Sequence, residues 1–370
     1  MKNSTVLTSL AALSLLLVTA CVHAQTTLKD AFKDDFLIGV AINQTQFDSE
    51  DQRGDPIIKI QFNSISPENI LKWESVHPEP GKYDFAEPDR YVEFGEANHM
   101  TIVGHTLVWH NQTPKWVFQN TNGTPVTREA LLERMRDHIH TVVGRYKGRI
   151  KIWDVVNEAL QDNGTMRKSP WEKIIGDDYI EKAFQYAHEA DPDAILRYND
   201  YSLENTPKRN GAIALIKKLQ AEGVPVTAIG LQDHVKMDWP TVEQESETIS
   251  AFAQLGLKVM ITELDVNVLG GARTAEITEM AKQTGTNAYN NGLPPDIQQA
   301  LAKRYADLFG VFVKHHSDIS LVTFWGVTDG DSWLNRPGRM NHPLLFDRDG
   351  KPKPAFDAIV QVGMRQSAAK

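Results

Sequence analysis

The chain of 370 residues carries 39 Lys and Arg against 48 Asp and Glu, a formal net charge of −9, with 41% hydrophobic and 24% charged residues. These proportions belong to a globular protein able to bury a sizeable core, and they exclude collagen-like, coiled-coil and disordered chains. No Lys/Arg-rich run accompanies the acidic balance, which argues against nucleic acid or an anionic membrane surface as partner and leaves room for an uncharged polymer.

In chain order, Lys2 precedes an apolar stretch from Val6 to Ala20 that is too short to span a bilayer and has the form of a secretory signal. Two processing sites compete. Val22-His23-Ala24 suits cleavage before Gln25, whereas Val18-Thr19-Ala20-Cys21 resembles a bacterial lipoprotein box that would leave Cys21 acylated and the protein tethered to a membrane. The expected organisation is a signal over residues 1–24 and one domain over 25–370, secreted or held at the outer surface. Cys21 is the only cysteine, so no intramolecular disulfide can form and stability must come from the core.

Beyond Gln25, β-branched apolar runs predict eight strands: Phe36–Asn43, Asn63–Glu68, Thr101–Trp109, Ile150–Glu158, Ala194–Asn199, Ala228–His234, Lys258–Asp265 and Ile319–Val327. Helical spacing falls between them. In Arg128–Tyr146, Leu131, Leu132, Met135, Ile139, Val142 and Val143 recur at three and four residues. Further helices are predicted over Tyr179–Glu189, Lys208–Ala221, Val242–Leu255 and Ile297–Val313, and around Phe356–Val360. Continuous apolar strands alternating with helices imply a parallel sheet covered by helices, and eight such units suggest an α/β fold of the (β/α)8 TIM-barrel type. An open doubly wound sheet is the competing architecture, but G-x-G-x-x-G and the P-loop are both absent. Gly270–Pro295, rich in Asn, Gly and Thr, reads as a long loop over the active-site face, either shaping leaving-group subsites or merely decorating them.

In such a barrel the chemistry sits at the C-terminal ends of the strands, and this sequence places polar residues there repeatedly. Strand two ends in Glu68 and Asn69 with Lys72 just beyond; strand three carries His105, Trp109, His110 and Gln112; Asn157 and Glu158 end strand four. Gln232 and His234 end strand six, Glu263 and Asp265 end strand seven, and strand eight carries Trp325, followed by Asp329 and Trp333. One buried polar residue is ordinarily a satisfied hydrogen-bonding group; agreement of six strands is a site. Glu158 and Glu263 would face each other across the barrel, the pair of carboxyls that glycosidic cleavage requires. Trp109, Trp325 and Trp333 offer flat apolar faces for sugar rings, while Asn69, Lys72, His105, Asn157 and Gln232 offer donors to hydroxyls. Trp73, Trp116, Trp153, Trp171 and Trp239 are assigned to the core. No H-E-x-x-H or strand-end H-x-H occurs, His138 and His140 diverge on a helix, and G-x-S-x-G is missing. Neither a catalytic metal, nor another cofactor, nor a serine nucleophile is expected.

The motifs together resemble glycoside hydrolase family 10, the β-1,4-xylanases, from about Leu28 to Val362. They read SPENILKW (Ser66–Trp73), GHTLVWHNQTPKW (Gly104–Trp116), WDVVNEA (Trp153–Ala159), GLQDH (Gly230–His234), ITELDV (Ile261–Val266) and TFWGVTDGDSWL (Thr323–Leu334), followed by PLLFD and GKPKPA. The resemblance implies a retaining endo-β-1,4-xylanase with Glu158 as acid/base, Glu263 as nucleophile, carboxyls about 5–5.5 Å apart and a covalent glycosyl-enzyme. It implies that His234, between Glu263 and Asp265, keeps the nucleophile ionised, and that Asn157 bonds the sugar 2-hydroxyl. It further implies glycone contacts from Glu68, Asn69, Lys72, His105, Trp109, Gln232, Trp325 and Trp333, the last crowding the C5 side where glucose carries a hydroxymethyl group. Tyr201 resembles an aromatic on the leaving side. The expected partners are xylan and xylo-oligosaccharides, with no nucleic acid and no protein partner implied. Two alternatives remain: a barrel glycosidase acting on β-1,4-glucan or short oligosaccharides, and a catalytically silent barrel that captures xylan, which would have no need of both glutamates.

Overall fold

The computed structural model describes residues 26–269 and 289–369. The signal segment with Cys21, and all of the Gly270–Pro295 loop before Tyr289, lie outside the described residues. The strand segments are β1 (Leu37–Ile42), β2 (Ser64–Pro67), β3 (Thr101–Gly104), β4 (Ile152–Asn157), β5 (Ile195–Asp200), β6 (Ala228–Leu231), β7 (His234–Lys236), β8 (Lys258–Asn267) and β9 (Ile319–Phe324). They pair in parallel in the order β6-β5-β4-β3-β2-β1-β9-β8, and β8 returns to β6 to close the ring. With helices between successive strands, this is a (β/α)8 barrel, and the open sheet is excluded by that last pairing.

Helix starts follow local chemistry. Thr127 caps Arg128–Arg145 by accepting from the Ala130 amide, and Thr241 with Gln244 forms a capping box on Val242–Ala253. The predicted stripe of the first of these helices is buried at Leu131, Met135, Ile139, Val142 and Val143, with Leu132 only partly covered. Helices at Gly54–Gln61 and Ala86–Ala97 escape sequence reading because Gly54, Pro56 and Pro88 read as loop, although proline in a first turn leaves no hydrogen bond unmade. The final helix runs over Pro354–Ala369, well beyond Phe356–Val360.

Three predicted strands change shape where they meet the cleft. Strand three stops at Gly104 instead of Trp109; a Cβ at Gly104 would lie 2.2 Å from Trp153 Cε3, so only glycine lets that indole fill the space. The segment after it leaves the ladder with β2 and bonds β4 instead, Leu107 N to Asp154 O and Val108 N to Val155 O, which releases His105 and Trp109 toward the centre. The sixth strand is broken into β6 and β7 at Gln232–Asp233, where Asp233 takes φ 55°, and both halves lie against β8. The last strand ends at Phe324, so Trp325 begins a loop.

Two apolar layers hold the barrel. The larger fills the space between strands and helices, and a small plug of Val103, Ile152, Ala228, Met260 and Leu321 closes the interior. Two residues beyond Ile152, on the same face of β4, Asp154 meets Arg197 through contacts of 2.6 and 2.8 Å. This fully buried ion pair forms the polar floor beneath the cleft. Trp73, Trp153 and Trp171 are core, as expected, whereas Trp116 and Trp239 are only half-buried.

Candidate active site

Above that floor opens a cleft of about 490 Å³. The two carboxylates reach it through irregular backbone. β4 shifts register against β5 between Asp154 and Val156, and β8 shifts against β9 between Ile261 and Leu264. An extra residue in a strand turns the following side chains to the other face, which is how Asn157 and Glu263 come to line the interior. Glu158 lies one residue past β4 with φ 57°. Its amide donates to Asn199 O at 2.9 Å, its carbonyl accepts from Arg167 Nε at 3.0 Å, and the next amide, Ala159 N, donates to Tyr198 Oη at 3.2 Å.

The carboxyl of Glu158 accepts from Trp109 Nε1 at 2.9 Å and from Gln232 Nε2 at 3.0 Å. Across the cleft, Glu263 accepts from Asn199 Nδ2 at 2.9 Å and meets His234 Nε2 at 3.1 Å. The same Asn199 nitrogen donates to Asn157 Oδ1 at 2.9 Å, and Asn157 Nδ2 reaches Glu158 Oε1 at 3.3 Å. Two amide side chains thus couple the two glutamates. His234 completes a line of charge, with its Nδ1 3.1 Å from Asp265 Oδ2, which also accepts from Trp333 Nε1 at 2.6 Å.

Charge in this line is ordered by burial and pairing. Burial works against a charged His234, but Asp265 and Glu263 on its two sides outweigh it and raise its pKa to about 10, so it stands as an imidazolium. Burial likewise opposes ionisation of Glu263, yet the hydrogen bond from His234 and the nearby His105 leave it below the ordinary carboxylate value. At the floor, burial is again overcome: Arg197 and His105 bring Asp154 down to about 2. His105 Nδ1 lies 2.9 Å from that carboxylate, which fixes the ring. On the opposite wall Lys72 Nζ donates to Asn69 Oδ1 at 3.0 Å and Gln112 Oε1 at 2.9 Å, and lies 4.9 Å from the Trp109 ring centre. Burial draws Lys72 below its ordinary value, against the opposing pull of Glu263 and Glu158. Glu68 is raised to about 7, by burial first and by Asp331 second.

Of the residues singled out in the sequence, Glu68, Asn69, Lys72, His105, Trp109, Asn157, Glu158, Gln232, His234, Glu263, Trp325 and Trp333 all line this one cleft. Asp265 stands behind His234. Tyr201 is not brought to the cleft wall: it is 2% exposed, its hydroxyl accepts from Arg167 at 2.8 Å, and Lys208 Nζ lies 3.2 Å from its ring centre. Gln112, noted after strand three, lines the cleft, as do Asp331 and Arg336, which sequence reading passed over. Asp331 sits two residues from Trp333 in a motif already recognised, so it was within reach; Arg336 carries no sequence signal. Asn199 was also missed, and its signal is an amide inside the apolar run AILRYN.

The described geometry has counterparts among known proteins. The pattern of glycosyl hydrolase family 10 matches residues 27–362. The chain is 45% identical over 359 residues to endo-1,4-beta-xylanase A of Xylanibacter ruminicola, covering 95% of this chain and 97% of that protein. It is 40% identical over 341 residues to the exoglucanase XynX of Acetivibrio thermocellus, covering 90% of this chain and 29% of that protein. A solved GH10 endoxylanase retrieved from a sugarcane soil metagenome superposes with a TM-score of 0.86 at 45% identity, over 92% of this chain and 100% of that one. Family pattern, ordered motifs and barrel agree along the chain, which belongs to glycosyl hydrolase family 10.

Proposed function

We propose that the protein is an endo-1,4-β-xylanase that hydrolyses internal bonds of xylan with retention of configuration. The observation that carries this reading is the pair Glu158 and Glu263 in one cleft, joined through Asn157 and Asn199 and flanked by Trp109, Trp325 and Trp333. Glu263, held ionised beside His234, attacks the anomeric carbon while Glu158 gives its proton to the departing glycosidic oxygen. The C–O bond to the leaving sugar breaks and a glycosyl ester forms on Glu263. Water then attacks the same carbon, Glu158 takes its proton, and the ester bond breaks to return Glu263 as carboxylate. Asn157 is assigned the 2-hydroxyl, where hydrogen bonding strengthens as positive charge develops at the ring. Glu68, Asn69, Lys72, His105 and Gln232 are assigned to the remaining glycone hydroxyls.

The xylanase names of relatives similar along nearly their whole length support xylan as substrate. Similarity to an exoglucanase keeps β-1,4-glucan as the second reading. Trp333 weighs against it, because an indole fixed by Asp265 leaves little freedom to make way for a hydroxymethyl group. Incubating the chain without residues 1–24 on xylan and on soluble cellulose, with Glu263→Ala as control, tests both. A ladder of xylo-oligosaccharides that disappears in the variant is expected; folded protein that leaves xylan intact would overturn the reading.

We further propose export, supported by Lys2 and the apolar stretch Val6–Ala20. Mass spectrometry of the mature N-terminus discriminates the routes: a start at Gln25 means soluble secretion, an acylated Cys21 means a membrane tether, and an unprocessed Met1 contradicts both.

A further inference from the structure

The break in the sixth barrel strand has two sides. Gln232 and His234 line the cleft; Asp233 between them does not. Its carboxyl instead meets Glu204, which follows β5, and Glu245, on the helix Val242–Ala253, with one oxygen from each within 4.8 Å of the others. All three residues are at most 1% exposed.

What distinguishes this cluster is the absence of nitrogen and hydroxyl donors. Among the described residues, no nitrogen or hydroxyl donates to either oxygen of Asp233, to either oxygen of Glu245 or to Glu204 Oε1, and the only side chains that meet them are one another's carboxyls. The surrounding cations are engaged elsewhere. Arg304 donates to Lys236 O at 3.0 Å and Pro240 O at 2.7 Å, Lys208 lies 2.9 Å from Asp200, and Arg209 donates to Thr248 at 2.8 Å. Carboxyls in this position cannot stay ionised without countercharge inside the cluster. Protons shared between Asp233 and each glutamate would join the carboxyls only pairwise, whereas one cation engages all three together. Oxygens converging from three separate elements, with no nitrogen or sulfur among them, form the ligand set of a hard divalent ion.

We propose that Glu204, Asp233 and Glu245 hold a structural divalent cation of the oxygen-preferring class, with Ca²⁺ as its representative. The ion ties the broken strand to the segment after β5 and to the Val242–Ala253 helix. It thereby fixes the backbone from which Gln232 reaches Glu158 and His234 reaches Glu263, without touching the substrate. With one dication the three carboxylates keep a single net negative charge, and Arg304, whose charge is felt at both Glu245 and Asp233, brings the region close to neutral.

The test uses the purified chain as produced. Elemental analysis after exhaustive dialysis is expected to find about one divalent ion per chain. EDTA is expected to lower the Tm by about 5 °C and added Ca²⁺ to restore it, as for any ligand bound only to the native state. Asp233→Asn and Glu245→Gln should lose both the ion and the response to EDTA. Should neither variant fold, anomalous scattering from Mn²⁺ soaked into crystals of the unaltered chain locates the ion directly. An ion-free chain whose Tm ignores EDTA, Ca²⁺, Mg²⁺ and Mn²⁺ would overturn the proposal and leave the carboxyls neutralised by shared protons. An ion retained in both variants, or a Mn²⁺ peak elsewhere, would overturn it equally.

Discussion

Glu158 works from a left-handed backbone conformation, φ 57°, which an L-residue adopts only when its surroundings hold it there. Arg167 supplies much of that hold, donating to the carbonyls of Glu158 and Leu160 at 3.0 and 3.1 Å. Arg167→Met is expected to lower kcat on xylan about tenfold to a hundredfold with little change in KM, because Glu158, the proposed acid, is displaced while the proposed sugar contacts remain. Arg167→Lys should recover part of the loss, and equal kcat in Met variant and parent would remove this positioning role. His234 acts on the other carboxylate. Replacing it by Asn is expected to cost on the order of a hundredfold in kcat. It should also move the acidic limb of the kcat/KM profile to higher pH, since Glu263 would lose the imidazolium that keeps it below its ordinary value. A profile with an unmoved acidic limb would separate His234 from Glu263 ionisation.

Between residue and barrel, a stack of rings around the short helix Trp73–Val76 ties the cleft to the periphery. Lys72 lines the cleft, while Trp73 packs on His138 with ring centres 3.7 Å apart, and His77 packs on Tyr83 at 3.8 Å. The two imidazoles meet at 3.3 Å through their Nδ1 atoms, an arrangement that suits neutral rings. Burial lowers His77 to about 4 from 6.5 and sends His138 down as well. A base whose folded pKa is depressed contributes stability that is present above its unfolded value and lost as pH falls toward the folded one. The window is therefore pH 6.5 to 4, and the loss from His77 is at most about 3 kcal/mol. Unfolding measured at pH 7 and pH 4 should show this decline, and His77→Phe, which keeps a ring in the stack, should make it shallower. An identical decline in both proteins would mean that other groups carry the acid sensitivity.

Across the barrel, the first and last described helices hold each other. The C-terminal helix buries Ala355, Phe356, Ile359 and Val360, and Gly363 passes so close to the first helix, Leu28–Ala31, that a Cβ there would lie 2.6 Å from Ala31 O. Burying three such large apolar side chains is worth about 5–9 kcal/mol, comparable with the entire stability of a domain. A chain ending at Lys353 is thus expected to lose its cooperative thermal transition; a truncated protein with an unchanged Tm would contradict this account of closure.

The alternation of eight apolar strands with helices and the polar residues at the strand ends were legible in the amino-acid order, because periodicity and residue chemistry are local properties written along the chain. The ordered motifs, which single out Glu158 and Glu263 for their proposed roles, were legible there as well. Features that depend on residues distant in sequence were set by contacts made on folding. The register shifts in β4 and β8, the break at Gln232–Asp233 and the early stop at Gly104 are responses to packing across the ring, and the strands that contain them read as ordinary apolar runs. Asn199 joins the two glutamates only because closure brings β4, β5 and β8 to one end. Tyr201 shares its stretch with Asn199, yet Arg167 and Lys208 hold it away from the cleft. The acidic convergence of Glu204, Asp233 and Glu245 is invisible for the same reason: each carboxyl looks like an ordinary polar residue until three separate elements bury them against one another.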